Sequence, residues 1–340
     1  MRLALDAMGG DRGPAAMVEG AALALAEGPA DLEIVLVGRP EELEPLMERA
    51  GAPAGRLTLH PATEVAGMDQ APSHILRRLK DSSIRVAFDL MKAGEAAAVV
   101  SAGNSGATMA VGMVVLGRLP EVERPALASV FPGLHGPIVV LDVGANVDCT
   151  PSMLLQFAYM GSAYAERVLG QANPTVGLLS IGEEDSKGNH VVKEAHENLK
   201  ASGLNFIGNV EGRDLFDGPA RVVVCDGFVG NVCLKLSEGL AQALEHLFRE
   251  RIKTSVLGQM GALLLKPLLK DLALQMDYAT YGGAPLLGIN GAAFICHGAS
   301  SSRAIASALK TAAHSVEGEL TRHLREGMAQ YRDLMLGEAD

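Results

Sequence analysis

Residues 138–146 read IVVLDVGAN: an apolar run, rich in β-branched side chains, that ends in an aspartate and a small polar loop. A strand apolar at successive positions is buried on both faces, as in a parallel sheet covered by helices, and not half-solvated as in a sandwich. Working outward, the same pattern recurs in LALD (3–6), EIVLVG (33–38), AAVVS (97–101), TVGLLSIG (175–182) and RVVVCDG (221–227). Helical stretches lie between many of these: Ala15–Glu27 is Ala-rich, Ser152–Leu169 has apolar helical spacing, and His190–Lys200 is charged and amphipathic. Strands alternating with helices predict an α/β fold with a mostly parallel sheet. A chain of 340 residues suggests one large domain or two intimate ones. No repeat, low-complexity linker or clean boundary divides it, so residues 1–340 are read as one domain, with a helical apolar protrusion at about 249–280.

Strand after strand ends in a Gly-, Asn- or Asp-rich loop: LD-AMGGD, VVS-AGNSGA, VLD-VGANVD, LLS-IGEEDSKGN and VCD-GFVGN. Ligands of open parallel sheets bind beyond the carboxyl ends of the strands, so these five loops are expected to converge on one cleft. SAGNSGAT (101–108) leads straight into a helix, where Ser101, Asn104, Ser105 and backbone N–H groups can hold an anion, or where Asn or Ser simply caps the helix. It lacks the lysine of a P-loop, and neither it nor LDAMGGD (5–11) is a dinucleotide fingerprint. In LDAMGGD, Gly9 and Gly10 allow close backbone approach to a ligand, while Asp6 and Asp11 are expected to face away from an anion and brace the loop. In HGASSSRAI (297–305), Ser300, Ser301 and Ser302 precede a helix with Arg303 in its first turn, and capping and phosphate binding both remain open. Lys187 in IGEEDSKGN can balance a phosphate or a developing oxyanion, and Asn231 in DGFVGN can donate to one. Asp226, with Asp142 and Asn146 of LDVGAN, completes the polar candidates.

Composition excludes several classes. There are 29 basic and 40 acidic residues, a formal charge of −11, no tryptophan and 4% aromatics, so nucleic acid is not an expected partner. The four cysteines, Cys149, Cys225, Cys233 and Cys296, form no C-x-x-C pair; neither metal nor cofactor is expected, and small core residues are the simplest reading of these thiols. The chain starts on strand-like sequence without a signal peptide, which predicts a reducing cytoplasm. Residues 96–117 carry no charge, but SAGNSG interrupts the run, so strand, loop and helix are expected instead of a membrane span. Residues 257–276, LGQMGALLLKPLLKDLALQM, have helical apolar spacing that Pro267 should break or kink. They form either an ordinary core helix pair or an exposed apolar patch for a bilayer or partner, with the basic run RERIK (249–253) just upstream.

Taken in order, LDAMGGD, SAGNSGA, LDVGANVDC, GLLSIGEEDSKGN, NFIGNVEGRDL, CDGFVGNVCLK, YGGAPLLGINGA and HGASSS resemble the PlsX family of bacterial phosphate acyltransferases, over Met1 to about Ala313. Ser105 stands where the resemblance leads one to expect Thr, and Ala299 lies inside HGASSS; neither removes a charged candidate. The resemblance implies a Rossmann-like three-layer α/β/α fold similar to phosphotransacetylases and to isocitrate and isopropylmalate dehydrogenases. It implies transfer of an acyl group from acyl carrier protein to inorganic phosphate, the acyl phosphate then serving a membrane glycerol 3-phosphate acyltransferase. It also implies a homodimer, cytoplasmic and peripherally associated with the membrane surface. On this resemblance Lys187 and Asn231 are the catalytic pair. Arg249, Arg251, Lys253, Leu264, Lys266, Leu268 and Lys270 become contacts for the acidic carrier or the membrane. Three other readings compete: a short-chain phosphotransacetylase using coenzyme A, a decarboxylating dehydrogenase, and a membrane-surface scaffold.

Overall fold

The continuous apolar runs are explained by which way their side chains point. In β1 (Arg2–Asp6), Leu3 and Leu5 enter one core layer while Ala4 enters the other. The computed structural model describes residues 1–53, 55–276 and 282–337, and of residues 256, 269–276 and 335–337 the backbone alone. The remaining strands are β2 (Glu33–Gly38), β3 (Leu57–Pro61), β4 (Ala98–Ser101), β5 (Ala126–Phe131), β6 (Ile138–Leu141), β7 (Val176–Leu179), β8 (Phe206–Val210), β9 (Val222–Val224), β10 (Ala284–Leu287) and β11 (Ala292–Ile295). The helices are α1 (Gly13–Glu27), α2 (Pro40–Ala50), α3 (Pro72–Arg78), α4 (Ser83–Lys92), α5 (Ser105–Leu116), α6 (Pro151–Arg167), α7 (His190–Ala201), α8 (Asp214–Asp217), α9 (Gly227–Lys253), α10 (Val256–Met276), α11 (Ser302–Glu317) and α12 (Leu320–Gly337).

All described strands join one sheet in the order β3-β2-β1-β4-β11-β10-β5-β6-β9-β7-β8. One face carries α1 against α11 and α6 against α7 and α12; α4 and α5 cover the β1, β2 and β4 part of the other. This is a three-layer α/β/α architecture. In β6 the alternation repeats: Val139 and Leu141 face one layer, Val140 the other.

The sheet corrects one expectation. The β3-β2-β1-β4-β11 block is parallel, and so is β6-β9-β7-β8. Between them β10 is antiparallel to β11 and to β5, and β5 is antiparallel to β6. Three successive reversals turn the second block opposite to the first. The strand-end loops therefore form two groups that leave from opposite ends of the sheet and can meet only across the reversed strands.

The segment left open in the sequence is also decided. Of the helix α9, only Gly227 and Gly230 are buried. Leu236, Leu240, Leu247 and Phe248 of α9, and Leu257, Met260, Leu263, Leu264 and Leu268 of α10, are exposed, Leu257 and Leu264 at 81% each. The two helices pack on each other and form no core pair within the domain. The helix α10 continues across Pro267 instead of ending there; on an exposed helix the carbonyl freed by the proline is open to solvent. Arg249 pairs with Glu245 and Lys253 with Glu250, while Arg251 and Lys266 are exposed. The side chain of Lys270, and residues 277–280 of the expected protrusion, lie outside the description. Among the described residues no helix is long and apolar enough to cross a membrane.

Candidate active site

Five of the polar loops first satisfy the helix that follows them, whereas the loop after β1 leaves α1 without a side-chain cap. Asn104 caps α5, Thr150 α6, Asn189 α7, Asp226 α9 and Ser301 α11, each side-chain oxygen accepting a backbone N–H of the first turn. Capping thus absorbs Asn104, Asp226 and Ser301. The amide of Asn104 is spent entirely, since Nδ2 also donates to the carbonyls of Met68 and Gln70.

In the first block the loops after β1, β4 and β11 are tied together. Asp6 is buried; its Oδ2 accepts the Ser101 hydroxyl at 2.7 Å and its Oδ1 the Met8 N–H. Ser101 Oγ in turn accepts the Gly103 N–H at 3.0 Å. Burial raises the Asp6 pKa, and the Ser83 and Ser101 hydroxyls pull it back. The gap around this pair has no room for a water molecule. Gly9 makes the contact possible, because a methyl there would stand 2.7 Å from the Gly103 nitrogen. The loop then reaches the third strand end: Asp11 N–H donates to the Gly298 carbonyl at 2.7 Å, and Arg12 Nε to the Ala299 carbonyl at 2.8 Å. Ser302 Oγ bonds Glu19 at 2.8 Å.

In the second block the loop after β6 is organised by Asp142, which is fully buried. Its Oδ1 accepts the N–H groups of Leu127, Gly144 and Ala145; its Oδ2 accepts the N–H and the Nδ2 of Asn146. Burial raises its pKa, against the pull of the bonds from the Ala145 N–H, the Asn146 side chain and the Leu127 and Gly144 N–H groups. The start of α9 is pressed onto this loop. Gly227 N–H donates to the Asn146 carbonyl at 2.7 Å, and a methyl on Gly230 would stand 1.9 Å from the Asp142 carbonyl oxygen. Glycine is required there, and the close approach places the next residue, Asn231, over the loop, 3.7 Å from where a methyl on Gly144 would lie.

The two groups meet across the reversed strands. A cavity of about 220 Å³ is lined by Ser105 and His297 from the first block and by Gly144 and Asn231 from the second, with Leu127, Val130, Val143, Leu234 and Ile295 as its apolar wall. Ser105 also lines a smaller space continuing toward Met109 and Leu286. Among the described residues neither the Ser105 hydroxyl nor the Asn231 amide has a hydrogen-bond partner in the protein, so both face the cavity unspent. His297 has one ring nitrogen occupied, Nδ1 accepting the Ala299 N–H. His297, with Lys235 and Glu238 on the same wall, was not among the sequence candidates. A titratable residue two positions beyond β11 was the available signal for His297; nothing local marks Lys235 or Glu238, which arrive with the turn of α9 that follows Asn231.

Lys187 is exposed and does not line this cavity. Its loop leaves β7 at the same end of the block as the Asp142 and Asn231 loops, because β6, β9 and β7 run parallel. Ser300 is half-buried, its N–H on the His297 carbonyl.

The thiols are unsuited to acyl-enzyme chemistry. Burial, with Asp142 beside it, pushes Cys149 up to about 12, and burial alone does the same to Cys296. Cys225 is raised well above the ordinary thiol value by burial and by Asp226. A thiol protonated far above neutral pH is a poor nucleophile. Among the described residues no three His, Cys, Asp or Glu side chains gather as a metal site.

The fatty acid synthesis protein family model matches residues 1–322. The phosphate acyltransferase of Geobacter sulfurreducens is 53% identical over 328 residues, 96% of this chain and 94% of that one. The phosphate acyltransferase of Heliobacterium modesticaldum is 51% identical over 327 residues, 96% and 97% of the two chains. The chain belongs to the PlsX family of phosphate acyltransferases. It is therefore an enzyme of acyl transfer in fatty acid and lipid synthesis. In fold, this PlsX member is similar to a phosphotransacetylase from Streptococcus pyogenes, with a TM-score of 0.65 at 20% identity over 93% of this chain and 94% of that one. EutD phosphotransacetylase from Staphylococcus aureus gives 0.62 at 16% identity over the same shares.

Proposed function

We propose that this PlsX member transfers the acyl group of an acyl-[acyl carrier protein] thioester to inorganic phosphate. A phosphate oxygen attacks the thioester carbonyl, the C–O bond forms, and the oxyanion collapses with cleavage of the C–S bond. The carrier thiolate leaves and takes a proton, giving acyl phosphate and free carrier protein. The second ionisation of phosphate lies near neutral pH, so the nucleophile needs position more than it needs a base. The observation that carries this reading is the pair of unspent groups, Ser105 and Asn231, facing one apolar-walled cavity from opposite blocks of the sheet.

In this reading Ser105 and the first N–H groups of α5 hold phosphate, with the α11 start beside Ser300 as the second anchor. Ser101, Asn104, Asp6 and Asp142 hold the loops that present them. Asn231 donates to the oxyanion, and Lys187 offsets phosphate charge or protonates the leaving thiolate once its loop is drawn over the cavity. Apolar walls limit hydrolysis of the acyl phosphate. The exposed leucines of α9 and α10, with Arg251 and Lys266 among them, suit the acidic carrier and a membrane surface. The enzyme is then a cytoplasmic homodimer held peripherally at the bilayer, handing its product to a membrane glycerol 3-phosphate acyltransferase.

The test mixes the protein with palmitoyl-carrier protein, with and without phosphate, and follows free carrier thiol and hydroxylamine-trapped acyl phosphate. Phosphate-dependent thiol release with matching acyl phosphate supports the reading. Turnover with acetyl-coenzyme A alone would replace it with short-chain phosphotransacetylation, and silence with both donors would leave the scaffold reading.

A further inference from the structure

Beneath the Lys187 loop lies a group that the chemistry above does not use. His196 on α7 is 2% exposed, its ring packed edge-on against Phe206 at 5.1 Å between centroids. Among the described residues neither ring nitrogen has a hydrogen-bond partner. Nε2 stands 3.5 Å from Asp185 Oδ1, and Nδ1 stands 3.6 Å from Glu197 Oε1, both just beyond a good hydrogen bond. Asp185 is two residues before Lys187 and is also approached by Lys200 Nζ at 3.7 Å. The same floor holds two more unsatisfied buried atoms, Asn209 Oδ1 and Ser180 Oγ. The loop above is also tied to this floor: Asn209 Nδ2 donates to the Glu184 carbonyl at 2.9 Å, and that carbonyl also takes the Lys187 N–H at 2.9 Å. Glu183 reaches outward to Arg213 at 2.9 Å.

Unmade hydrogen bonds on buried groups are costly, and a small inward movement of the loop makes them. Asp185 is exposed and can approach; His196 is walled in and cannot. We infer that His196 is a positioning residue: its Nε2–H captures Asp185 as the loop closes over bound phosphate, and this sets the height of Lys187 above the cavity. The inference rests on the reading of Lys187 as the residue that meets phosphate. It gives the buried imidazole a role in the reaction without contact with substrate.

The experiment measures the KM for phosphate in thiol release from palmitoyl-carrier protein. His196→Leu, which fills the same space without a donor, is expected to raise it about tenfold, below the ~10²-fold that a 1 Å misplacement can cost. The KM for the acyl carrier is expected to stay unchanged. His196→Gln, which keeps a donor near the Nε2 position, is expected to restore the KM for phosphate to within about twofold of the native value. Asp185→Ala, on an exposed side chain that folding does not need, is expected to reproduce the rise. In a Lys187→Ala background, assayed at high enzyme concentration, His196→Leu is expected to add nothing. An unchanged KM for phosphate in folded His196→Leu or in Asp185→Ala overturns the inference. So does the same tenfold rise in the Lys187→Ala background, which would mean a general loosening of the fold. If Lys187→Ala alone keeps full turnover, the reading of Lys187 fails and takes this inference with it; if Lys187→Ala is inactive while His196→Leu is native-like, only this inference fails.

Discussion

Two loops at the same end of the sheet are built in opposite ways. The loop after β6 is wrapped around a buried carboxylate: Asp142 accepts five hydrogen bonds, and the glycines of α9 close on it until no methyl fits between. The loop after β7 has its carboxylates outside and, among the described residues, its lysine unpaired and a buried histidine below with no bond made. The first is a frame whose geometry is over-determined, which suits the oxyanion role proposed for Asn231. The second is held by fewer bonds, which leaves room for the movement inferred above. The difference teaches where charge is spent: the frame's carboxylate is consumed internally, while the Lys187 ammonium has no ion-pair partner among the described residues, as its proposed role requires.

The largest effect that would sharpen this contrast is on turnover. Lys187→Ala is expected to lower kcat/KM by about 10²–10³-fold, the cost of losing one charge-stabilising donor, with a nearly unchanged unfolding midpoint because the side chain is exposed and only its methylene stem lies beside Gly182; steady-state kinetics beside thermal denaturation reads both. On the frame side, Asp142→Asn puts an NH₂ where two donors already point, and should cost about 3 kcal/mol of stability in urea unfolding. A loss below about 1 kcal/mol would break the comparison, because the loop would then hold itself without the carboxylate. Ser101→Ala removes the hydroxyl between Asp6 and the Gly103 N–H, and about 1.5 kcal/mol is expected from the same measurement, with turnover falling only as far as the first-block loops loosen. Smallest of all is Cys149→Ser. The thiol sits in the frame, yet its pKa near 12 keeps it protonated, so turnover should stay within about twofold of the native rate. Trapping of an acyl-thioester on Cys149 by mass spectrometry would overturn both this expectation and direct attack by phosphate.

Much of the fold was legible because burial on both faces writes itself into composition. The six apolar runs all became strands, and the three helical stretches became α1, α6 and α7. The reading missed β3, β5, β8, β10 and β11, and the costly omissions were β5 and β10, the two reversed strands. The strand β10 is four residues long and contains Pro285, so nothing in its periodicity marks a central position. Missing them meant missing that the loops divide into two groups. At the site, loop polarity was visible but not its division of labour. Asn104, Asp226 and Ser301 look like ligand groups in sequence, and each is occupied by a helix N-terminus. The positions of Ser105 and Asn231 read no differently from these, and the structure leaves them unspent.

By itself the sequence determined the strand–helix alternation, the glycines where backbone must touch backbone, and the family, since eight motifs in register carry more information than any one of them. Only the tertiary structure decided which polar groups remain free, that α9 and α10 turn their leucines outward, and that Ser105 and His297 face Gly144 and Asn231 across one cavity. The physical reason is that hydrogen-bond satisfaction and exposure are relations between distant segments. Whether Asp142 is spent on five N–H groups, or His196 on none, depends on what the sheet order brings beside it, and no window of sequence contains that neighbour.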